Sequence, residues 1–160
     1  MRVIVTGASG FVGSNIAKVL RDRHGDEVID RRVDMTDPAA VADHVTTSGA
    51  DAVIHCAILN DWDRMHADRR EAWAAYVDAT RFYADAAAAA DIPMCVISTD
   101  WVFDGTQSNA TEDTPPNPIN LYGFLKAASE LVALERGGAV VRVMGVNGTH
   151  WARPATPRAQ

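Results

Sequence analysis

Cysteine is scarce in this chain, which has only two among its 160 residues, Cys56 and Cys95. Both stand in apolar, strand-like runs, so the sequence gives no sign of a disulfide framework and favours a reducing compartment. No apolar run approaches the ~18 residues that span a bilayer, and no charged-then-apolar leader precedes the first apolar run. We therefore expect a cytoplasmic protein without a membrane partner.

An excess of positive charge is also lacking. The chain has 15 basic and 21 acidic residues, which gives a net charge of -6, and the two signs are interspersed. This distribution offers no electrostatic basis for nucleic-acid binding, so we expect no such partner. The residues His55, Cys56, Asp61, Asp63 and His66 do not have the spacing of a familiar zinc site, and we predict no metal.

A glycine-rich segment at residues 6–13 follows the apolar run 3–5 and precedes a helical pattern. It places Gly7, Gly10 and Gly13 at a strand-to-helix turn, where parallel α/β proteins hold the pyrophosphate of a dinucleotide. Gly7 permits the sharp turn, Gly10 lets the backbone approach the phosphates, and Gly13 lets the helix pack closely on the strand. The Gly-x-x-Gly-x-x-Gly spacing resembles the short-chain dehydrogenase/reductase superfamily, particularly its extended branch.

Strand-like and helical patterns alternate along the chain. The strands are predicted at residues 2–6, 27–29, 52–55, 94–98 and 139–144. The helices are predicted at residues 11–23, 39–47, 68–90 and 120–134. Repeated strand–helix units without hairpin signals predict an α/β fold with a doubly wound parallel sheet and helices on both faces, the NAD(P)-binding Rossmann fold. We expect one domain at 1–148 and a loop-like tail at 149–160, which marks a truncation point.

Charged residues follow the second predicted strand. Asp30 ends that strand, where an acid can bond the adenine ribose hydroxyls of NAD. Arg31 and Arg32 come next, and a guanidinium at this place can pair with the 2′-phosphate of NADP. One arginine could offset the few kcal/mol by which a carboxylate ~4 Å away opposes that phosphate. We predict NADP and keep NAD as the alternative, with Asp34 and Met35 beside the adenine.

A phenol and an ammonium stand four residues apart in the last predicted helix, at Tyr122 and Lys126. This spacing puts both on one face of the helix, where Lys126 would depress the pKa of Tyr122 and allow proton transfer near neutral pH. Ser98, Thr99 and Asp100 end the fourth strand, on the side where parallel sheets bind ligands. A hydroxyl there can hold a substrate carbonyl against Tyr122 while hydride arrives from a nicotinamide.

A long, gap-poor signature covers the region between these groups. It consists of STDWVFDG at residues 98–105, then Glu112-Asp113, Pro116, Asn117-Pro118, Asn120, Tyr122-Gly123 and residues 126–130. This run resembles the dTDP-4-dehydrorhamnose reductase-like proteins, and the likeness extends over about residues 1–148. The resemblance implies a catalytic triad of Thr99, Tyr122 and Lys126 that reduces the 4-keto group of a deoxysugar nucleotide with NADPH or NADH.

The resemblance also assigns the cofactor contacts. Lys126 would hold the nicotinamide ribose, and further contacts would come from Phe11, Val12, Asp34, Met35, Cys56 and Ala57. The chain departs from the family at Tyr76, where extended members often carry Asn, and at His55-Cys56-Ala57, where the reductases often have Asn-Ala-Ala. Family members also continue beyond the last predicted strand, and that continuation builds most of the sugar-nucleotide pocket.

Two other functions are kept as alternatives. One is a nucleotide-binding regulatory module without catalysis, and the other is a sugar-nucleotide epimerase or dehydratase of the same superfamily. We expect a homodimer through the two long helices, as in the superfamily. Trp62, Trp73 and Trp101 are expected in the core or in a pocket wall, where Trp101 could face a substrate ring, whereas Trp151 is expected to be exposed in the tail.

Overall fold

A five-stranded parallel sheet forms the centre of the molecule, which we describe from a computed structural model over residues 1–152. The order of the strands across the sheet is β2-β1-β3-β4-β5. The strands are β1 (Arg2–Thr6), β2 (Glu27–Ile29), β3 (Ala52–His55), β4 (Met94–Thr99) and β5 (Ala139–Val143). The predicted α/β fold with a parallel sheet is confirmed, because every neighbouring pair of strands runs in the same direction.

Six α-helices connect or flank the strands in the described part of the chain. They are α1 (Phe11–Val19), α2 (Pro38–Ser48), α3 (Trp62–Ala67), α4 (Arg69–Trp73), α5 (Ala79–Ala89) and α6 (Leu121–Glu135). A π-helical turn at Leu20–His24 extends α1, and a second one at Ala74–Asp78 joins α4 to α5. The helix predicted at 68–90 is therefore present but contains a widened turn, and α3 was not predicted. Within residues 1–152, no helix combines the length and the apolar character needed to cross a membrane.

One face of the sheet carries the larger hydrophobic core. Side chains of β1, β3 and β4 meet α2, α5 and α6 there, and the buried residues of this cluster include Ile4, Val53, Val96, Val41, Tyr83 and Ala133. Alternation along the strands turns the neighbouring residues to the other face, where right-handed crossover connections place only α1 among the described helices. On that side Val141 of β5 is 45% exposed, so the helical cover predicted for both faces is incomplete.

The strand order changes direction at β1, and this position sets the place of the site. The chain passes from β1 to β2 on one side and then to β3 on the other, so a crevice opens at the carboxyl ends of β1 and β3. β4 ends beside β3, and a 3-10 turn at Asp100–Val102 follows it. Asn120 caps α6 by accepting a hydrogen bond from the Gly123 N–H at 2.8 Å. The glycine turn, the end of β4 and the start of α6 are thereby brought to the same edge.

The predicted tail begins with contacts to α1. The Asn15 side chain donates a hydrogen bond to the Thr149 carbonyl at 2.8 Å and accepts one from the Trp151 indole N–H at 3.0 Å. Lys18 lies 4.6 Å from the centre of the Trp151 ring. The start of the tail is thus packed on the protein, although the Trp151 side chain is exposed as expected. The rest of the predicted tail, 153–160, lies outside the described residues.

Candidate cofactor and active site

The glycine turn after β1 is as tight as its spacing predicts. Gly7 has φ of +67°, and a Cβ placed on it would come within 2.8 Å of the Ala57 backbone. A Cβ on Gly13 would lie 2.2 Å from the Gly7 carbonyl oxygen, a distance that no side chain tolerates. The Gly10 N–H donates to the same carbonyl at 2.8 Å and closes the turn. Glycine at these positions is therefore a steric requirement of the strand–turn–helix junction.

The turn leaves the start of α1 suited to an anion. Gly10 is the N-cap of α1, and no side chain bonds the first N–H groups of the helix in the described structure. These groups and the positive end of the helix dipole are the elements that hold a pyrophosphate. Phe11 and Val12 form the first helical turn, next to these donors. The predicted turn residues therefore fit a dinucleotide, with the phosphates on the N–H groups of this turn.

A buried hydrogen-bond network joins the ends of β1 and β3. The Thr6 hydroxyl accepts from the N–H groups of Cys56 and Ala57, both at 3.1 Å, and lies 2.8 Å from Nδ1 of His55. Because the hydroxyl proton is the group left to donate, we assign it to Nδ1 and place the ring proton on Nε2. Burial and the nearby Lys126 charge lower the pKa of His55 to about 3, so the ring is neutral.

Cys56 and Ala57 are held at the crevice by this network, and their contact with a cofactor stays a prediction. Burial raises the pKa of the Cys56 thiol to about 12, so the side chain acts as an uncharged wall. Ala57 approaches Gly7 so closely that a larger residue at position 7 would displace it. Both residues therefore shape the crevice through their backbone position.

The residues predicted for the adenine end lie apart from the cavity that Thr99, Tyr122 and Lys126 line. Asp30 accepts a hydrogen bond from Arg21 at 2.9 Å, and Arg31 lies 3.7 Å from Asp43. Both pairs are exposed, so they contribute little to stability and can exchange for a ligand phosphate or ribose. Asp34 accepts from the Thr36 N–H and hydroxyl, which lowers its pKa.

Met35 and Arg32 complete this end of the site. The Met35 side chain packs against the core cluster under β1, which leaves it half-buried beside the end of β2. Arg32 is exposed. The predicted assignment of Asp34 and Met35 to the adenine stays a prediction, since the structure accounts for both through local contacts.

One cavity of about 320 Å³ contains all three residues of the predicted triad. Thr99, Tyr122 and Lys126 line it together with Val12 from α1 and Cys56 from the end of β3. Its volume is that of a small ligand pocket, and its place matches the crevice defined by the strand order. Elements far apart in sequence therefore bring the predicted catalytic groups to the predicted nicotinamide end.

Lys126 was predicted to act on Tyr122 and to hold the nicotinamide ribose, but in the structure it contacts the backbone of β4. Its Nζ donates a hydrogen bond to the Ile97 carbonyl oxygen at 2.5 Å, which directs the ammonium toward β4. Burial lowers the pKa of Lys126 to about 8, although the neighbouring Cys56 and Glu130 act in the opposite direction.

The expected depression of the Tyr122 pKa by Lys126 is not found. Burial among other aromatic rings raises the pKa of Tyr122, with the Thr99 hydroxyl acting against the shift and the Asp100 charge adding to it. The physical reason is placement, because the shared helical face brings Tyr122 and Lys126 into one cavity but the ammonium is bonded to Ile97. The free protein therefore holds Tyr122 as a protonated phenol.

Thr99 is fixed by the turn that follows β4. Its hydroxyl donates to the Asp100 carboxylate at 3.1 Å and accepts from the Trp101 N–H at 3.3 Å. The Trp101 carbonyl is in turn so close to α6 that a Cβ on Gly123 would lie 2.1 Å from it. The adjacent Tyr122 is thereby held next to Thr99 by a contact that only glycine allows.

Several contacts in and around the site could not be predicted from the sequence. A buried network links Ser98, Glu130 and Arg142, since the Ser98 hydroxyl and the Arg142 guanidinium both bond the Glu130 carboxylate. Trp62 and Tyr76 contact the Tyr122 ring. Glu130 lies in the signature run, but nothing in the local pattern could pair it with Arg142.

Among the described residues, no group of three or more His, Cys, Asp and Glu side chains is arranged for a metal.

Comparisons with known proteins agree with the fold. The family model described as RmlD substrate binding domain matches residues 1–152. The chain belongs to this family. Methionine adenosyltransferase 2 subunit beta from Bos taurus is 32% identical to it over 153 residues, which cover 89% of this chain and 46% of the relative.

Two dTDP-4-dehydrorhamnose reductases are also similar to the chain. The Streptomyces griseus protein is 35% identical over 138 residues, which cover 84% of this chain and 45% of the relative. The crystal structure of the Bacillus anthracis protein in complex with NADP has a TM-score of 0.81 at 29% identity, and the match covers 89% of this chain and 53% of that one. The chain therefore spans about half the length of these relatives.

Proposed function

We propose that this chain is the cofactor-binding part of an NAD(P)H-dependent reductase that acts on a keto group of a sugar nucleotide. The observation that carries the proposal is the single cavity lined by Thr99, Tyr122 and Lys126, at the crevice beside the glycine turn. A proton donor, a hydroxyl that can orient a carbonyl and a cation are the groups that carbonyl reduction requires. The reductase names of the relatives from Streptomyces griseus and Bacillus anthracis support the same reaction class.

In the proposed reaction each residue has a separate task. Tyr122, which is protonated in the free protein, donates its phenolic proton to the carbonyl oxygen as negative charge develops there. The Thr99 hydroxyl orients that oxygen. The Lys126 ammonium is bonded to the Ile97 carbonyl in the free protein; when the ligands are bound it turns toward the phenolate that remains and stabilises it by charge attraction. When bound, the reduced nicotinamide would supply hydride to the carbonyl carbon.

The cofactor we propose is NADP, with NAD as the alternative. The exposed Arg31 and Arg32 are available for a 2′-phosphate, whereas the Asp30 charge that would oppose it is already paired with Arg21. The Bacillus anthracis relative was crystallised with NADP. These observations favour the phosphorylated cofactor, although a ribose hydroxyl could replace Arg21 as the partner of Asp30.

A regulatory subunit without catalysis is the second candidate. The Bos taurus relative is named as a subunit of methionine adenosyltransferase, and the raised pKa of Tyr122 is compatible with a phenol that has no reaction to perform. This candidate predicts nucleotide binding without turnover. It is therefore separated from the reductase by the experiment that follows.

The test replaces Tyr122 with Phe, which removes the proton donor and keeps the ring. We expect NADPH oxidation with a dTDP-4-keto-6-deoxyhexose to fall by about 10²–10⁴-fold, the usual contribution of a general acid. Binding of NADPH, followed by its fluorescence, should be unchanged. The protein used should be the full coding product of the gene that contains this segment.

Tyr83→Phe is the matched control, because Tyr83 is a buried phenol outside the cavity. Turnover retained by Tyr122→Phe would exclude the proposed mechanism. Product analysis completes the test, since an epimerised or dehydrated sugar nucleotide would assign the site to another activity of the superfamily. Unaltered substrate together with tight NADPH binding would favour the regulatory subunit.

We also propose a cytoplasmic homodimer formed by the outer faces of α5 and α6. Phe124 and Leu131 stand seven residues apart on α6, and both side chains are largely exposed. Apolar side chains repeated along one helix face are typical of an interface. Sedimentation equilibrium should give twice the mass of the chain, and Leu131→Glu should give monomer. Monomeric wild-type protein at micromolar concentration would contradict the homodimer.

A further inference from the structure

Three aromatic rings contact one another at the mouth of the cavity. The ring centres of Trp62 and Tyr122 are 5.7 Å apart, those of Trp101 and Tyr122 are 5.8 Å apart, and those of Trp62 and Trp101 are 5.8 Å apart. Tyr122 is thus flanked by two indoles that come from separate elements, α3 and the turn after β4. The edge-to-face and tilted arrangements are those that aromatic pairs favour.

The two indoles are open to the cavity. Trp62 is 49% exposed and Trp101 is 47% exposed, and both line the cavity that holds Tyr122. A tryptophan that is half-exposed beside a proton donor does not contribute the stability that a fully buried indole would. Exposed apolar surface of this kind is typical of a binding site. Contact with a ligand that has an apolar face would remove this surface from water.

The polar groups around the indoles suit hydroxyls. Asn60, Asp61 and Asp100 line the same cavity, and amide and carboxylate oxygens accept hydrogen bonds from neutral hydroxyl groups. Lys126 is the one cation among the described lining residues, and its Nζ is bonded to the Ile97 carbonyl. Carboxylates without a free cation disfavour a diphosphate at this end of the cavity. The lining therefore fits a polyhydroxylated ring with apolar C–H faces.

The local structure holds Trp62 in position. Asp61 caps α3 by accepting from the Arg64 N–H at 3.0 Å. Met65 of the same helix is 1% exposed and packs in the cluster with Tyr76 and Leu125. The Arg64 Nε–H donates to Glu71 at 2.8 Å, which ties α3 to α4. Trp62 is thereby presented on a fixed helical turn.

From these observations we infer that Trp62 and Trp101 form a platform for the sugar ring of the substrate, next to Tyr122. The pyranose C–H face lies on the indoles, and its hydroxyls bond the oxygens of Asn60, Asp61 and Asp100. The nucleoside diphosphate extends out of the cavity. The inference rests on the proposed function for the class of substrate, and it adds that Trp62 and Trp101 recognise the sugar.

The test is saturation-transfer NMR with dTDP-glucose as the probe, in the presence of NADP. We expect the glucose ring protons to receive more saturation than the thymine methyl group. Trp62→Ala and Trp101→Ala should each weaken binding by about tenfold or more, and Trp62→Phe should keep most of the affinity. Trp73→Ala is the matched control, because Trp73 is also partly exposed but contacts Phe124 outside the cavity.

Each outcome decides the inference. Stronger saturation of the thymine methyl group, no binding of dTDP-glucose by wild-type protein, or equal affinities for Trp62→Ala and Trp73→Ala would overturn it. Circular dichroism of each variant should match the wild type, and Trp62→Phe, which keeps a ring on α3, tests the platform independently. Loss of sugar binding in Trp62→Ala without any NADPH turnover by wild type would keep the platform and reject the reductase.

Discussion

His55 is a histidine that folding keeps uncharged. Its Nδ1 is bonded to Thr6, its ring lies 5.2 Å from that of Tyr83, and Nε2 is buried without a partner among the described residues. Burial lowers its pKa from 6.5 to about 3. Below pH 6.5, His55 is therefore protonated in the unfolded chain but stays neutral in the folded chain. This difference makes the protein less stable as the pH falls toward 3.

The prediction at His55 is a change in the pH dependence of stability. In wild type, the titration of His55 should lower the free energy of unfolding by up to about 1.4 kcal/mol for each pH unit of acidification between pH 6.5 and 3. His55→Asn removes the titrating ring, so its stability should fall less steeply over that range. Urea unfolding at several pH values measures this difference.

The control is His24→Gln, since His24 is exposed in the folded chain. It should keep the wild-type slope, because His55 is still present. Equal slopes for wild type and His55→Asn would show that His55 is protonated, or solvated, in the folded protein.

Single residues could be predicted from the sequence when their role depends on the local backbone. Gly13 is the clearest example, because a Cβ on it would meet the Gly7 carbonyl of the same turn, and Gly7 itself has a positive φ. The close approach of Ala57 to Gly7 depends instead on where β3 ends. The contact of Lys126 with Ile97 could not be predicted, since it depends on the distance between α6 and β4. The predicted lowering of the Tyr122 pKa was wrong for a similar reason. The rings that bury the phenol come from α3 and from the turn after β4, which are distant in sequence.

At the scale of elements, α6 and β5 are joined by a buried ion pair. Arg142 of β5 donates to both carboxylate oxygens of Glu130 on α6, at 2.8 to 3.2 Å, and Glu130 is 2% exposed. Ser98 of β4 bonds the same carboxylate. The Arg142 guanidinium also lies 5.0 Å from the centre of the Phe103 ring. The pair therefore connects the sheet, α6 and the loop after β4.

Arg142→Met should destabilise the protein strongly. It leaves the Glu130 carboxylate buried without its cation, and such a loss costs about 3–5 kcal/mol of unfolding free energy. Adding Glu130→Gln to this variant should recover a large part of the loss, because the uncompensated charge is removed. Chemical denaturation of the single and double variants measures both effects.

Arg136→Met provides the comparison, because Arg136 pairs with Asp85 at the surface. Exposed pairs contribute little, so this variant should remain close to wild type. Similar losses for Arg142→Met and Arg136→Met would mean that the buried pair is not stronger than a surface pair. No recovery in the double variant would mean that lost packing on Phe103, rather than the charge of Glu130, explains the cost.

The elements themselves differ in how far the sequence predicts them. β3 and α2 were predicted closely, since an apolar run defines the strand and Asp37-Pro38 starts the helix, with Asp37 accepting from the Ala39 N–H at 2.9 Å. The π-helical turn Ala74–Asp78 was not predicted, because the hydrophobic periodicity of the sequence does not distinguish it from a continuous α-helix. The Tyr76 carbonyl in it accepts from the hydroxyls of Thr80 and Ser129, and the second bond is a contact with α6.

For the whole molecule, the parallel order of the strands explains how a chain that spans about half the length of its relatives can form a candidate cofactor site. The glycine turn, Cys56 and Lys126 belong to elements within residues 1–152 that share one core. The open side of β5, where Val141 is half-exposed, lies at the edge of the sheet, and β4 separates that strand from β3. The sequence could predict this arrangement because strand–helix alternation fixes the topology, whereas the cover of the open side depends on residues outside the pattern.

A cofactor site contained within these residues should act as a binding unit. We predict that the 160-residue chain binds NADPH and NADH saturably, with NADPH bound more tightly because Arg31 and Arg32 are exposed near the ribose end. Titration followed by reduced-nicotinamide fluorescence measures both affinities. Ligand binding should also raise the melting temperature as its concentration rises, because only the folded chain binds.

Two variants test where the cofactor binds and which residues cause the preference for NADPH over NADH. Gly10→Asp should weaken both cofactors, since it places a carboxylate at the start of α1 where the phosphates would lie and its Cβ meets the Gly7 carbonyl at 3.1 Å. The double change Arg31→Ala and Arg32→Ala should weaken NADPH by about tenfold or more and leave NADH nearly unchanged, because only NADPH carries the 2′-phosphate. Equal losses for both cofactors would place the arginines elsewhere, and no binding by the folded wild-type chain would mean that the crevice requires further residues to close around a dinucleotide.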